Sequence, residues 1–74
     1  MTGLRLTRYQ QLAEDMAEAI RGGLLRPGER LPSVRATCAQ RGVSPSTVFQ
    51  AYGHLESIGL IEARARSGFF VRAT

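Results

Sequence analysis

Lysine is missing from this 74-residue chain; all ten of its basic residues are arginine. Cysteine is nearly missing too. A single thiol, Cys38, excludes an internal disulfide, and the lone His54 has no cluster of partners with which to hold zinc. That usage fits a reducing, cytoplasmic environment. No segment approaches the ~20 apolar residues that span a bilayer, and Met1 to Arg8 has no apolar run of signal-peptide length. Neither export nor membrane insertion is expected. Bulk is lacking as well. A chain of this size makes one domain, residues 1–74, burying roughly 60% of its unfolded surface, with little left for an enclosed catalytic cavity. No nucleophile–base pair, metal set or phosphate-cradling glycine loop appears, so no enzyme is expected.

What is present is a hydrophobic share of 43%, enough for a folded globule, and a lopsided charge of +4 from ten basic against six acidic residues. An excess of positive charge favours a polyanionic partner, through steering and the release of condensed counterions.

The pattern then divides into elements. Apolar residues at Tyr9, Leu12, Ala13, Met16, Ala17, Ile20 and Leu24 recur at spacings of three and four, which predicts a helix over about 8–22. Thr7 caps it, and Gly22-Gly23 stops it. Its outer face carries Glu14, Asp15, Glu18 and Arg21, too acidic to lie along DNA. Pro27-Gly28 marks a tight turn, Glu29 to Leu31 reads as an isolated strand, and Pro32 closes it. Ser33 then caps a second helix over Val34 to Arg41 that ends at Gly42. Ser44 and Pro45 open a third, with Val48, Ala51, Tyr52, Leu55 and Ile58 facing the core before Gly59. Two short helices joined by Gly42-Val43-Ser44 make a helix-turn-helix pattern. Leu60 to Ala63 and Gly68 to Val71 are two strands around an Arg64–Ser67 turn, with Ile61, Val71 and one of Phe69 or Phe70 packing inward. The expected fold is mainly α with a small β-hairpin: a winged helix-turn-helix of three helices and a two-stranded wing.

Several residues suit DNA. The outward face of the third helix carries Ser46, Gln50, Gly53 and Ser57, with Thr47, Phe49 and His54 on its flanks. Ser and Thr bond base edges or phosphates, Gln50 suits adenine, and the helix's N-terminal amides favour phosphate. Arg35 in the first turn of the second helix opposes the helix dipole unless an anion lies near. Arg64 and Arg66 in the wing turn suit phosphate and narrow minor grooves. Each also has a plainer reading as solvated surface. Phe49 suits a thymine methyl, the wing, or protein outside this segment, with packing favoured. His54 reads as a surface residue and Cys38 as a small buried filler.

The string Arg26-Pro-Gly-Glu-Arg-Leu-Pro-Ser-Val-Arg35 resembles the strand-to-helix passage of GntR-family regulators. Gly42-Val-Ser-Pro-Ser-Thr-Val48 is similar to their turn and recognition-helix start, and Leu55 to Glu62 with Ser67-Gly-Phe-Phe-Val71 to their wing. Phe49-Gln-Ala-Tyr52 and Ile61 to Val71 look most like the MocR branch. There the domain is joined to a large aminotransferase-like region that binds pyridoxal phosphate, a cofactor these residues themselves are not expected to hold. The resemblance implies that Arg35 contacts DNA, that Ser44, Ser46 and Thr47 form the polar start of the recognition helix, and that Gly68 approaches the minor groove. The whole expected DNA-binding set is Arg35, Ser44, Pro45, Ser46, Thr47 and Gln50, with the recognition helix, about 45–58, in the major groove, and Arg64, Arg66, Ser67 and Gly68, with the wing, 64–68, at the minor groove. Pro45 and Phe49 depart from the arginines that many members carry. Thr37 and Arg41 stand where leucine is frequent, which implies looser packing of the second helix.

The expectation is sequence-specific binding of double-stranded DNA by a bacterial transcription regulator, repressor or activator. Two copies would read a two-fold symmetric or repeated operator, with homodimer contacts in a C-terminal region outside this segment. The rival is a winged-helix protein-interaction module without DNA binding, against which the arginines at positions 35, 64 and 66 argue.

Overall fold

Capping residues cut the chain into its helices. In the computed structural model, which describes residues 6–72, α1 runs Arg8–Arg21 behind a reciprocal capping box. The Gln10 N–H donates to Thr7 Oγ1 at 3.2 Å, and the Gln10 side chain accepts from the Thr7 N–H at 2.9 Å. The helix stops at Gly22, so the apolar stripe ends there too: Leu24 lies beyond the helix and is 81% exposed rather than in the core.

The turn at Arg26 to Glu29 closes through a 2.9 Å bond from the Glu29 N–H to the Arg26 carbonyl. Helix α2 (Val34–Arg41) begins where Ser33 Oγ accepts from the Ala36 N–H at 3.1 Å. It ends on Gly42 at φ 65 and ψ 37, a left-handed backbone that costs a residue with a Cβ roughly 1–2 kcal/mol. That corner swings the chain into α3 (Pro45–Ser57), capped by Ser44 with Pro45 in its first turn. Ile58 falls on the C-cap instead of the core stripe and is half-exposed.

β1 (Ile61–Arg64) and β2 (Gly68–Val71) pair antiparallel, Ile61 opposite Val71 and Arg64 opposite Gly68. The strand expected at Glu29 to Leu31 is a single bridge, Arg30 opposite Phe70. Bonds from the Leu31 N–H to the Phe69 carbonyl and from the Val71 N–H to the Glu29 carbonyl, both 2.8 Å, flank it. Pro32 has no N–H with which to extend the ladder. The hairpin is thus clamped along β2 by a third segment, which a lone hairpin needs.

The core joins Leu12, Ala13, Met16 and Ala17 of α1 to Val48, Ala51, Tyr52 and Leu55 of α3, closed by Leu31, Ile61 and Val71. Burial of a side chain such as Leu55 contributes ~1.5–3 kcal/mol. Phe69 is the wing aromatic that turns inward, its ring edge-on to Tyr52 at 5.0 Å, while Phe70 faces outward. Thr37 is fully buried, and it is the only residue of α2 that is. Tyr52 donates to the Pro32 carbonyl at 2.9 Å and lies 2.9 Å from Thr37 Oγ1. A phenol has one proton, already given to Pro32, so the Thr37 hydroxyl donates to Tyr52. Three segments are pinned by that relay.

Candidate nucleic-acid interface

Helix α3 divides its circumference sharply. Val48, Ala51, Tyr52 and Leu55 have no exposure at all, while Ser46, Phe49, Gln50, Gly53 and His54 are exposed. The start of the helix is a cluster of hydroxyls. Ser44 Oγ accepts from the Thr47 N–H at 3.3 Å and lies 3.2 Å from Ser46 Oγ and 3.0 Å from Thr47 Oγ1. The cap that starts the helix therefore also gathers three of the expected site residues at one point. Pro45 between them has no N–H to offer, and its contribution is the fixed φ of the first turn.

Neither α2 nor α3 carries an acid in its first turn, so their positive N-terminal ends lack a local counter-charge. Arg35 stands exposed in the first turn of α2, and none of the ion pairs among the described residues includes it. Phe49 is 57% exposed, so the packing expected for it is not supplied within this domain. Cys38 is half-buried at the rim of the core, less enclosed than its reading as filler implied. His54 is exposed, as its sequence position suggested.

The wing presents a mixed surface. Arg64 is committed: Nη2 and Nε meet Glu62 Oε2 at 2.8 and 3.0 Å, and the guanidinium lies 4.4 Å from the centre of the Phe70 ring. Arg66 at the tip has no such partner among the described residues and takes φ 64, the only non-glycine there with a left-handed backbone. The Ser67 N–H closes the tip on the Arg64 carbonyl at 3.1 Å. Gly68 follows at φ 108, and a Cβ built on it would sit 3.1 Å from Arg30 Nε. The group that comes close to Gly68 is an arginine that sequence reasoning passed over. Its signal was weak, because nothing local to Arg30 points across a sheet to residue 68.

The Tyr52 phenol is pushed up from its ordinary pKa, chiefly by burial, with the Thr37 hydrogen bond and the charge of Arg41 pulling part of the way back. It is a structural group on the buried side of α3. No helix among the described residues is long and apolar enough to cross a membrane.

Three helices, a left-handed corner before the recognition helix and a clamped hairpin define a winged helix-turn-helix domain, the DNA-binding kind found in transcription regulators. The chain belongs to the gntR family of bacterial regulatory proteins, whose family model matches residues 8–71. It is 56% identical over 66 residues to the uncharacterized HTH-type transcriptional regulator YjiR of Escherichia coli K12, covering 89% of this chain and 14% of that protein. The fold is similar to the AraR DNA-binding domain in complex with operator ORR3, with a TM-score of 0.88 and 31% identity over 96% of this chain and 86% of that one. It is also similar to YtrA from Sulfolobus acidocaldarius, a GntR-family transcription factor, with a TM-score of 0.87 and 33% identity over 97% of this chain and 61% of that one. The chain thus spans a seventh of YjiR and over half of YtrA.

Proposed function

We propose that this domain reads double-stranded operator DNA with the N-terminal end of α3 in the major groove and the wing tip at the minor groove. The observation that carries the reading is the division of α3, whose inner side is wholly buried while its hydroxyl-bearing start stands open. Ser44, Ser46 and Thr47 sit where a recognition helix meets base edges and phosphates, and Gln50 lies one turn further along the exposed side. Arg35, with no acid to hold it, supplies a phosphate or base contact. Arg66, Ser67 and Gly68 form the wing contact, with Arg64 held back by Glu62. The operator bound by the similar AraR domain supports the same role here.

The domain acts within a longer cytoplasmic regulator, as a pair on a two-fold symmetric or repeated site. The branch we favour is MocR, on the strings Phe49 to Tyr52 and Ile61 to Val71. The small share of YjiR that the chain spans leaves room for a large second region of that kind. Pyridoxal phosphate belongs to that region. The residues present here do not fit it, since its protein-bound form uses a lysine amine and the chain has none.

The test begins with a duplex selected from random sequence by the full-length regulator, followed by gel-shift titration of the domain. Thr47→Ala, as a base-edge contact, costs about 1–3 kcal/mol of specific binding, and Arg35→Ala lowers the log–log salt slope by about 0.9. Unchanged affinity in both variants defeats the reading.

A further inference from the structure

The wing's outer face carries an arginine that comes from outside the hairpin. Arg30 is bridged to Phe70, and residues directly opposite each other in a sheet project to the same side. Arg30 therefore leaves the sheet on the side of Phe70 and of its pairing partner Glu62, away from the buried Ile61 and Val71. From there its side chain runs toward the tip and lies along the backbone of Gly68. A Cβ at Gly68 would stand 3.1 Å from Nε, 3.4 Å from Nη2 and 3.6 Å from Cζ of Arg30. The missing side chain of Gly68 makes the seat for this guanidinium, one residue from the tip loop 65–67.

No acid meets Arg30 there. The ion pairs among the described residues use Arg21, Arg41 and Arg64. Glu62 is taken by Arg64, and the neighbouring Glu29 accepts from the Arg26 N–H at 2.8 Å. Seating a long side chain costs rotamer entropy. A guanidinium seated on Gly68 without a counter-charge, two residues along the strand from Arg66, which also lacks one among the described residues, gives the wing tip a place for an anion, and the fixed fork suits phosphate oxygens.

We propose that Arg30 is a wing contact to the DNA backbone, binding a phosphate at the edge of the groove that Arg66 reaches, with Gly68 serving to seat it. The proposal rests on the reading that the wing meets DNA, and adds to it a residue from the α1–α2 connection.

The test follows binding of a mixed-sequence DNA duplex to the 74-residue chain by fluorescence anisotropy across a salt series. Arg30→Gln lowers the log–log salt slope by about 0.9, and Arg30→Lys, which keeps the charge, retains the slope. An unchanged slope in Arg30→Gln, while Arg35→Ala lowers it, overturns the role of Arg30 and leaves DNA binding standing. Unchanged slopes in both overturn both. Should Arg30→Gln lose cooperative unfolding, the unaltered chain still answers through the Arg30 Nε–Hε resonance. That signal shifts when duplex is added; if it stays fixed while the Ser46 and Thr47 amides shift, Arg30 is not a contact.

Discussion

The surroundings of Tyr52 and the tip of the wing follow opposite rules. Around Tyr52 every polar group has a partner: Thr37 donates to the phenol, the phenol donates to Pro32, and no buried side-chain polar atom among the described residues is left without a bond. At the tip, Arg66 holds a left-handed backbone and Arg30 lies against Gly68, and neither has an acidic partner among the described residues. Satisfaction on one side fixes the angle between α2 and α3. Incompleteness on the other leaves charge for a partner to meet. The contrast separates residues that build the domain from residues left open to the DNA partner proposed above, and each half makes its own prediction.

The largest effect belongs to the buried half. Tyr52→Ala removes the ring that meets Phe69 and both of its hydrogen bonds, and costs about 3–5 kcal/mol. Against the ~5–15 kcal/mol of an ordinary small domain, that is enough to unfold much of the population, as urea titration followed by circular dichroism would record.

Tyr52→Phe is a finer cut. It leaves the Thr37 donor and the Pro32 acceptor unpaired for a cost of about 1–3 kcal/mol. The phenol also ties stability to pH. Its pKa is raised in the folded state by burial, so the folded chain holds the proton where the unfolded chain has begun to lose it. The stability this contributes is complete below the unfolded value of about 10 and is lost as pH rises through the folded pKa. Alkaline melts should show that loss in the native sequence and a flatter profile in Tyr52→Phe. Equal profiles would show that the phenol ionises alike in the folded and unfolded chains and that burial does not raise its pKa.

The same contrast explains what was legible in the sequence. Caps and spacing are local chemistry, and Thr7, Ser33, Ser44-Pro45 and Gly42 marked the helix ends within a residue or two. The hydroxyl cluster at the start of α3 followed from the cap. The role of Thr37 was not legible, because a threonine where leucine is frequent gains its value only from a phenol fifteen residues away. Phe69 and Phe70 could not be told apart, since alternation gives the two faces and only register assigns them. Leu24 fitted a helical period that the chain leaves at Gly22. Arg30 was invisible for the reason Thr37 was: its seat is made by the sheet and not by its neighbours.

Arg66→Gly tests the exposed half in both directions. Glycine accepts φ 64 without the penalty of a Cβ, and this gain exceeds its entropy cost by at most about 1.5 kcal/mol. The domain should melt at an equal or slightly higher temperature while duplex binding weakens. A drop in stability of more than about 1 kcal/mol would mean that the arginine supports the fold, and the tip would then belong with the buried half.

The smallest effect concerns an arginine that the contrast assigns to scaffold. Arg41 Nη1 meets Asp15 Oδ2 at 2.7 Å, and Gln11 Nε2 donates to Asp15 Oδ1 at 3.1 Å, so α1 holds the end of α2 one residue before the left-handed corner. Both charged side chains are at least one-third exposed, which limits the pair to about 0–1 kcal/mol, less in high salt. Arg41→Met keeps most of the apolar stem and removes the charge. Its melting temperature should fall slightly at low salt and match the native chain at high salt. Its salt slope for duplex binding should also change less than that of Arg35→Ala, because Asp15 already neutralises the guanidinium. A slope lower by the full ~0.9 of a phosphate contact would mean that Arg41 leaves Asp15 for DNA. An intramolecular partner would then no longer mark an arginine as structural, and Arg64, paired with Glu62 in the same way, would return to the DNA face.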